Sequence, residues 1–345
     1  MDTIQIKLIF NSGIGSLDIY ENIKNNLNNL KSPYGYTFCD VKELSKRGEV
    51  IVKLSYPRFY AGINAFLITT RQECLIVQEY FANILAHMPY LNNIVAIDLM
   101  RVDIPFTYLM SYSESFWEYK NIFKVFAMVY NRINKNSSSK GIIDIESERF
   151  ETLTYADTKC ISAYNRKVLI YDQYKNMEVK TSEESDFNTI LEQYPDLSKR
   201  IRLEVSKLIK RKPFTVEQFA KFDILGAYLE SFKKEILENL MNRGMIEMIY
   251  NETAKILVDT LERERRRLGF NYEVFILRNL PKIYDYEVLR RALRINIPNI
   301  KTREGAITTV RRILNEYQTK EGIIIIDTYK QLELIRNYIE NVVFM

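Results

Sequence analysis

In the first two thirds of the chain, apolar and polar positions alternate in short runs with a period of two, the spacing of half-buried β-strands. Alternation and strand-forming composition together predict strands over residues 4–10, 49–55, 65–69, 95–106, 150–155, 167–171 and 200–209. Two longer runs carry helical spacing instead. One is 71–88, where Leu75, Ile76, Phe81, Ile84 and Leu85 recur near every third or fourth position, and the other is 114–134. Residues 135–140 and 181–187 are polar and turn-rich and read as surface loops. From about Thr215 onward the pattern becomes almost wholly helical, over 216–242, 247–268, 286–294, 306–317 and 329–342, with Pro213, Pro281 and Pro298 as punctuation. The predicted fold class is α+β, with an antiparallel-sheet domain over 1–212 that has flanking helices and a mostly helical C-terminal domain over 213–345.

Composition agrees with a folded chain. Of 345 residues, 47% are hydrophobic and 27% charged, enough for two domains that each bury a core. No stretch of about 18 apolar residues suits a membrane span, and the N-terminal MDTIQIKLIF lacks the basic-then-apolar order of a signal peptide. Cys39, Cys74 and Cys160 stand far apart without a CxxC pair, so reduced thiols and a cytoplasmic location are expected rather than a disulfide framework or thiolate metal site. The only histidine, His87, excludes any site that needs two imidazoles, although a Ser-His-Asp triad remains arithmetically open. It is expected at a helix C-terminus, facing a carbonyl or solvent. Gly13 and Gly15 follow a strand but meet neither phosphate-loop fingerprint, so no nucleotide cofactor is expected.

The chemistry lies in polar residues where strands should place them together. In 95–106, Arg101 and Asp103 share one face while Met100, Val102, Ile104 and Phe106 share the other. In 200–209, Arg202, Glu204 and Ser206 share one face opposite Ile201, Leu203 and Val205. Two readings stay open. If these strands are close, Asp103 and Glu204 form a carboxylate pair suited to Mg²⁺ or Mn²⁺, braced by Arg101 and Arg202. Otherwise they make cross-strand salt bridges on a solvated face. The strand 167–171 ends in Tyr171, Asp172, Gln173, Tyr174 and Lys175. A phenol beside cationic groups suits attack on a phosphodiester, whereas the plainer alternative is an aromatic packed at a strand end. The net charge is +5, with Lys199, Arg200, Arg202, Lys207, Lys210, Arg211 and Lys212 clustered where a phosphate backbone would be attracted. Arginines 263, 265, 266, 267, 290, 291, 294, 311 and 312 stud the helices beyond, as either a solvated face or DNA contacts.

Four blocks resemble the replication initiators of filamentous phages, typified by their gene II protein, and related phage and plasmid rolling-circle replication proteins. They are Ile51 to Phe66 (IVKLSYPRFYAGINAF), Arg101-Val102-Asp103, Thr152 to Tyr155 (TLTY) with Lys167 to Lys175, and Ile201-Arg202-Leu203-Glu204. Their order and spacing match over residues 1–212. The resemblance implies a divalent-metal-dependent, site-specific endonuclease and strand transferase with a nickase-like sheet domain. It would nick a DNA origin by tyrosine attack, hold the strand as a 5′-phosphotyrosine, and rejoin it. On this basis Tyr171 is the nucleophile with Tyr174 as competitor, Lys175 stabilises phosphate charge, and Asp103 and Glu204 hold Mg²⁺ or Mn²⁺. Arg101, Arg202, Lys199, Lys207, Lys210, Arg211 and Lys212 would contact DNA, while Tyr56, Phe59 and Tyr60 would either supply stacking platforms for a single strand or, as is more common for such residues, pack in the core. Ile63 stands where the family pattern has an imidazole. Single-stranded or supercoiled origin DNA and host replication proteins are the implied partners. The alternatives are a non-catalytic origin-binding protein and a metal-dependent nuclease that uses water without a covalent intermediate.

Overall fold

The alternating stretches pair into one antiparallel sheet. In a computed structural model, which describes residues 1–11, 17–46, 49–89, 91, 93–110, 120–134, 151–156, 165–181, 184–279, 283, 285–321 and 327–344, the strands are β1 (Thr3–Phe10), β2 (Cys39–Lys46), β3 (Glu49–Ser55), β4 (Ile94–Leu109), β5 (Glu151–Ala156), β6 (Arg166–Asp172) and β7 (Arg200–Leu208). They run in the order β2-β3-β1-β4-β7-β6-β5. Between them lie helices α1 (Leu17–Asn28), α2 (Tyr56–Ala61), α3 (Arg71–His87), α4 (Lys120–Ile133), α5 (Gln173–Lys180) and α6 (Glu184–Gln193). Beyond β7 come α7 (Val216–Lys221), α8 (Ile224–Asn239), α9 (Arg243–Arg265), α10 (Tyr272–Asn279), α11 (Tyr286–Asn296), α12 (Ile300–Glu321) and α13 (Thr328–Asn341).

One face of the sheet is apolar because alternate residues of each strand point the same way. Ile4, Ile6 and Leu8, Val50, Val52 and Leu54, Ile97, Leu99 and Ile104, Val168 and Ile170, and Leu203 and Val205 are all buried there. Helices α8 and α13 pack across this side of the sheet, and a continuous apolar core joins the strands to helices beyond residue 212. In β4, a bulge sets Met100 and Arg101 against Gln5, so Leu99 rather than Met100 joins Val102 inside.

Several local expectations change. Residues 65–69 form no strand; they follow a turn at Gly62 whose left-handed φ of 73° ends α2 and whose bare Cα lets Tyr36 approach. The helix expected over 216–242 breaks at Phe222, because Asp223 caps a new helix by accepting from the Gly226 amide. The loop expected over 181–187 gives way to α6 at Glu184, and β2, α1, α2, α5 and α10 are additional elements. Residues 135–140 and Cys160 lie outside the described residues, while Cys39 and Cys74 are buried free thiols. His87 does end α3, exposed, with Nδ1 2.7 Å from the Asn83 carbonyl oxygen. Among the described residues no helix is long and apolar enough to cross a membrane.

Candidate active site

The second sheet face is polar, and its centre lies on β4, β7 and β6. Register aligns Asp103 with Ser206 and Lys167, then Pro105 with Glu204 and Leu169, then Thr107 with Arg202 and Tyr171. Residues paired across neighbouring strands point to the same face. The two Arg-x-acid strands are therefore adjacent, and Tyr171 follows on the next strand. Asp103 is held on its own side by Arg101, whose Nε and Nη2 donate to Oδ1 at 2.8 Å and Oδ2 at 2.5 Å, and by the Ser206 hydroxyl. At the other end, Tyr171 donates its hydroxyl proton to Glu204 Oε2 at 3.1 Å.

Arg202 joins this pair to residues from outside the sheet centre. Its Nε lies 3.9 Å from Glu204 Oε2, its Nη2 3.0 Å from Asp2 Oδ1, and its Nη1 donates to the Asn64 carbonyl at 3.2 Å. Gln173, the first residue of α5, donates to the same carbonyl at 2.8 Å, and Asn64 donates to Asp2 Oδ2 at 3.4 Å. A satellite core of Ala65, Met177, Phe187, Ile190 and Leu197 ties α5, α6 and the 63–65 segment together beside this network. Arg202 is only 1% exposed, whereas the Glu204 side chain keeps 14% exposure. Asn64 Oδ1, Gln173 Oε1 and Arg202 Nε are buried without a hydrogen-bond partner, as is Asp2 Oδ1, whose ion pair is off hydrogen-bond alignment. Leaving such groups unmatched costs about 1–3 kcal/mol each, so stored polarity is concentrated here.

Burial dominates the proton affinities. It pushes the Glu204 carboxyl up to about 7, with Asp2 and Asp103 adding to the rise while Arg202 and the Tyr171 hydroxyl oppose it. Burial likewise lifts the Tyr171 phenol well above its ordinary range, despite Arg202. The Arg202 guanidinium is weakened by burial but raised overall by Tyr171, Asp2 and Glu204. The resting phenol is thus protonated, beside a carboxylate that changes state near neutral pH.

Because folded Glu204 binds its proton more tightly than an unfolded glutamate, its stabilising contribution is full below about pH 4.5 and is lost as pH rises through about 7. Burial pushes Asp285 up to about 7 as well, so it contributes over a similar window from a value near 3.8. Glu204→Gln is expected to flatten the fall of the unfolding free energy between pH 5 and 7.5 by about 1–3 kcal/mol. Urea unfolding across that range measures it; a slope unchanged from wild type would contradict the assignment.

The carboxylates do not make an open cation site. Arg101 and Ser206 occupy both Asp103 oxygens, Tyr171 occupies Glu204 Oε2, and two guanidinium groups already supply positive charge. Among the described residues no group of three His, Cys, Asp or Glu side chains is arranged to hold a metal. The expected Mg²⁺ or Mn²⁺ site at Asp103 and Glu204 does not fit this arrangement, because a cation there would have to displace Arg101.

The other expected residues scatter. Tyr174 packs edge-on against Phe187 with ring centroids 5.1 Å apart, and Lys175 pairs with Glu178 at 2.8 Å on the outer side of α5, so neither joins the Tyr171–Glu204 pair. Arg202 is too buried to meet DNA directly. Lys207 sits on the helix side, donating to the Ser231 carbonyl at 2.9 Å and pairing with Glu235 at 3.3 Å, because it shares the strand face of Val205. Lys199, Lys210, Arg211 and Lys212 are exposed. Tyr56 and Phe59 are wholly buried core residues rather than stacking platforms, and Tyr60 donates to the Glu73 carbonyl at 2.8 Å. Asp2, Asn64 and Gln173 had no periodic signal to mark them; only a polar residue just before a strand and an Asp172 helix cap hint at their places. The chain matches no protein-family model, no curated protein and no solved structure.

Proposed function

We propose that the protein is a rolling-circle replication initiator: a DNA nickase and strand transferase in which Tyr171 attacks the scissile phosphate. The observation that carries this reading is the Tyr171 hydroxyl bonded to Glu204 and oriented beside Arg202, with all three on adjacent strands of the polar face. A nucleophile, a base within hydrogen-bond reach and a group that orients the base are the parts such an attack needs. Glu204, poised near neutrality, takes the phenol proton. The tyrosyl oxygen forms a bond to phosphorus as the bond to the 3′ oxygen breaks, and Glu204 returns the proton to that leaving oxygen. Arg202 offsets the charge on the phenolate during transfer. Rejoining reverses these steps: a 3′ hydroxyl gives its proton to Glu204, attacks phosphorus and releases Tyr171, so no nucleotide is consumed. DNA is the proposed partner, and a host-cell cytoplasm the proposed setting.

A second reading, a non-catalytic origin-binding protein, is favoured by one observation: Tyr171 is 8% exposed, as befits a structural network. The two part in one assay. Purified protein is incubated with a supercoiled plasmid carrying the gene and its flanking DNA, with Mg²⁺, with Mn²⁺ and with chelator. Nicked circles together with an SDS-stable protein–DNA band are expected. Nicking without the band would replace the reading with a water-using nuclease, and binding alone would replace it with the second.

A further inference from the structure

Beyond the end of β7 the chain turns into α7 and leaves an open groove of about 600 Å³, whose lining includes Arg211, Lys212, Phe214, Glu217, Lys221 and Phe222. Phe214 is fixed there by a two-way backbone bridge to Ile97 of β4. The two phenyl rings lie 4.9 Å apart, tilted by 40°, and the Arg211 guanidinium carbon sits 4.0 Å from the Phe222 centroid and 4.7 Å from that of Phe214. Arg211 is itself exposed. An arginine held on aromatic faces is pre-organised: less side-chain freedom is lost on binding, and its planar face and its N–H edge remain available for different groups. Lys212 adds a second exposed charge, whereas Lys221 is partly neutralised by Glu217 at 2.7 Å.

We infer that this groove binds single-stranded DNA, with a base stacked on the Arg211 guanidinium and the adjoining phosphates held by Arg211 and Lys212. The groove is larger than a lone phosphate requires and is open along one side. A duplex turns its phosphates outward and hides its base faces, but a single strand offers both a base plane and a charge, which is what the stacked guanidinium matches. The inference rests on the strand-transfer reading for the choice of DNA, but binding is measured apart from cleavage.

Fluorescence anisotropy of the full chain with oligo-dT of about 15 nucleotides tests it, across a range of salt and against the same length of duplex. Arg211→Ala is expected to weaken binding about 10-fold and to lower the steepness of the log affinity against log salt plot by about 0.7. Arg211→Lys should keep that steepness while losing several-fold in affinity, because charge remains but the stacked plane is gone. Lys212→Ala, at an exposed position that leaves the fold untouched, should also lower the steepness by about 0.7. Wild-type affinity and salt dependence in both alanine variants would overturn the inference, as would equal binding of the duplex or no binding by wild type. Binding with these dependences in a protein that never nicks would leave the groove standing and remove the strand-transfer reading instead.

Discussion

Tyr171→Phe is expected to abolish the SDS-stable protein–DNA band, since phenylalanine has no oxygen to bond phosphorus, and to slow nicking by at least about 10³-fold, since only the catalysis supplied by binding and surroundings is left. The substitution deletes one oxygen and keeps the ring that fills the strand end, so binding of DNA should persist. Stability should move far less than activity. Glu204 loses its hydroxyl donor, a change of about 1–3 kcal/mol for a hydrogen bond to a group that ionises. It should be smallest below neutrality, where Glu204 is protonated. Tyr174→Phe is the matched control, because Tyr174 packs against Phe187 and stands outside the Tyr171–Glu204–Arg202 network. If Tyr171→Phe retains the covalent band and Tyr174→Phe loses it, the nucleophile is Tyr174 and the Glu204 proton route falls with it.

The distribution of what could be read from the sequence has a physical basis. Alternation specifies which side chains share a strand face, so β1, β3, β4, β5, β6 and β7 are legible, as is the common orientation of Arg101 with Asp103 and of Arg202 with Glu204. Alternation says nothing about which strands become neighbours. The placement of β7 between β4 and β6 is a long-range choice, and it alone brings Tyr171 to Glu204. Edge strand β2 leaves no such signal, because its sequence, CDVKELSK, supplies few apolar positions and pairs on one side only. Helix α5 was hidden because β6 runs straight into it: Asp172 ends the strand and caps the helix by accepting from the Lys175 amide. Buried polar partners are harder still. Asp2, Asn64 and Gln173 interrupt no periodic pattern, and the burial of Asp2, of Gln173 and of the Asn64 Oδ1 atom goes with where Arg202 ends up.

That dependence on Arg202 gives the largest stability effect expected in the sheet. Arg202→Met keeps most of the side-chain length but removes the charge shared by Asp2 and Glu204 and the donor to the Asn64 carbonyl. Breaking one side of a buried ionic network typically costs about 3–5 kcal/mol, because a charge is left in a poorly solvating site. Glu204 can escape part of that cost by taking up a proton, being already raised to about 7. The loss should therefore be greater at pH 8 than at pH 6, whereas a simple loss of packing would be the same at both. Adding Glu204→Gln to Arg202→Met should recover about 1 kcal/mol or more at pH 8, since the second change removes an uncompensated carboxylate rather than a contact. Urea unfolding of the four proteins at both pH values measures these differences. A pH-independent loss, or strictly additive effects, would mean that Arg202 fills space beside Glu204 without governing its charge, and the proton route from Tyr171 would then lack the cation on which it depends.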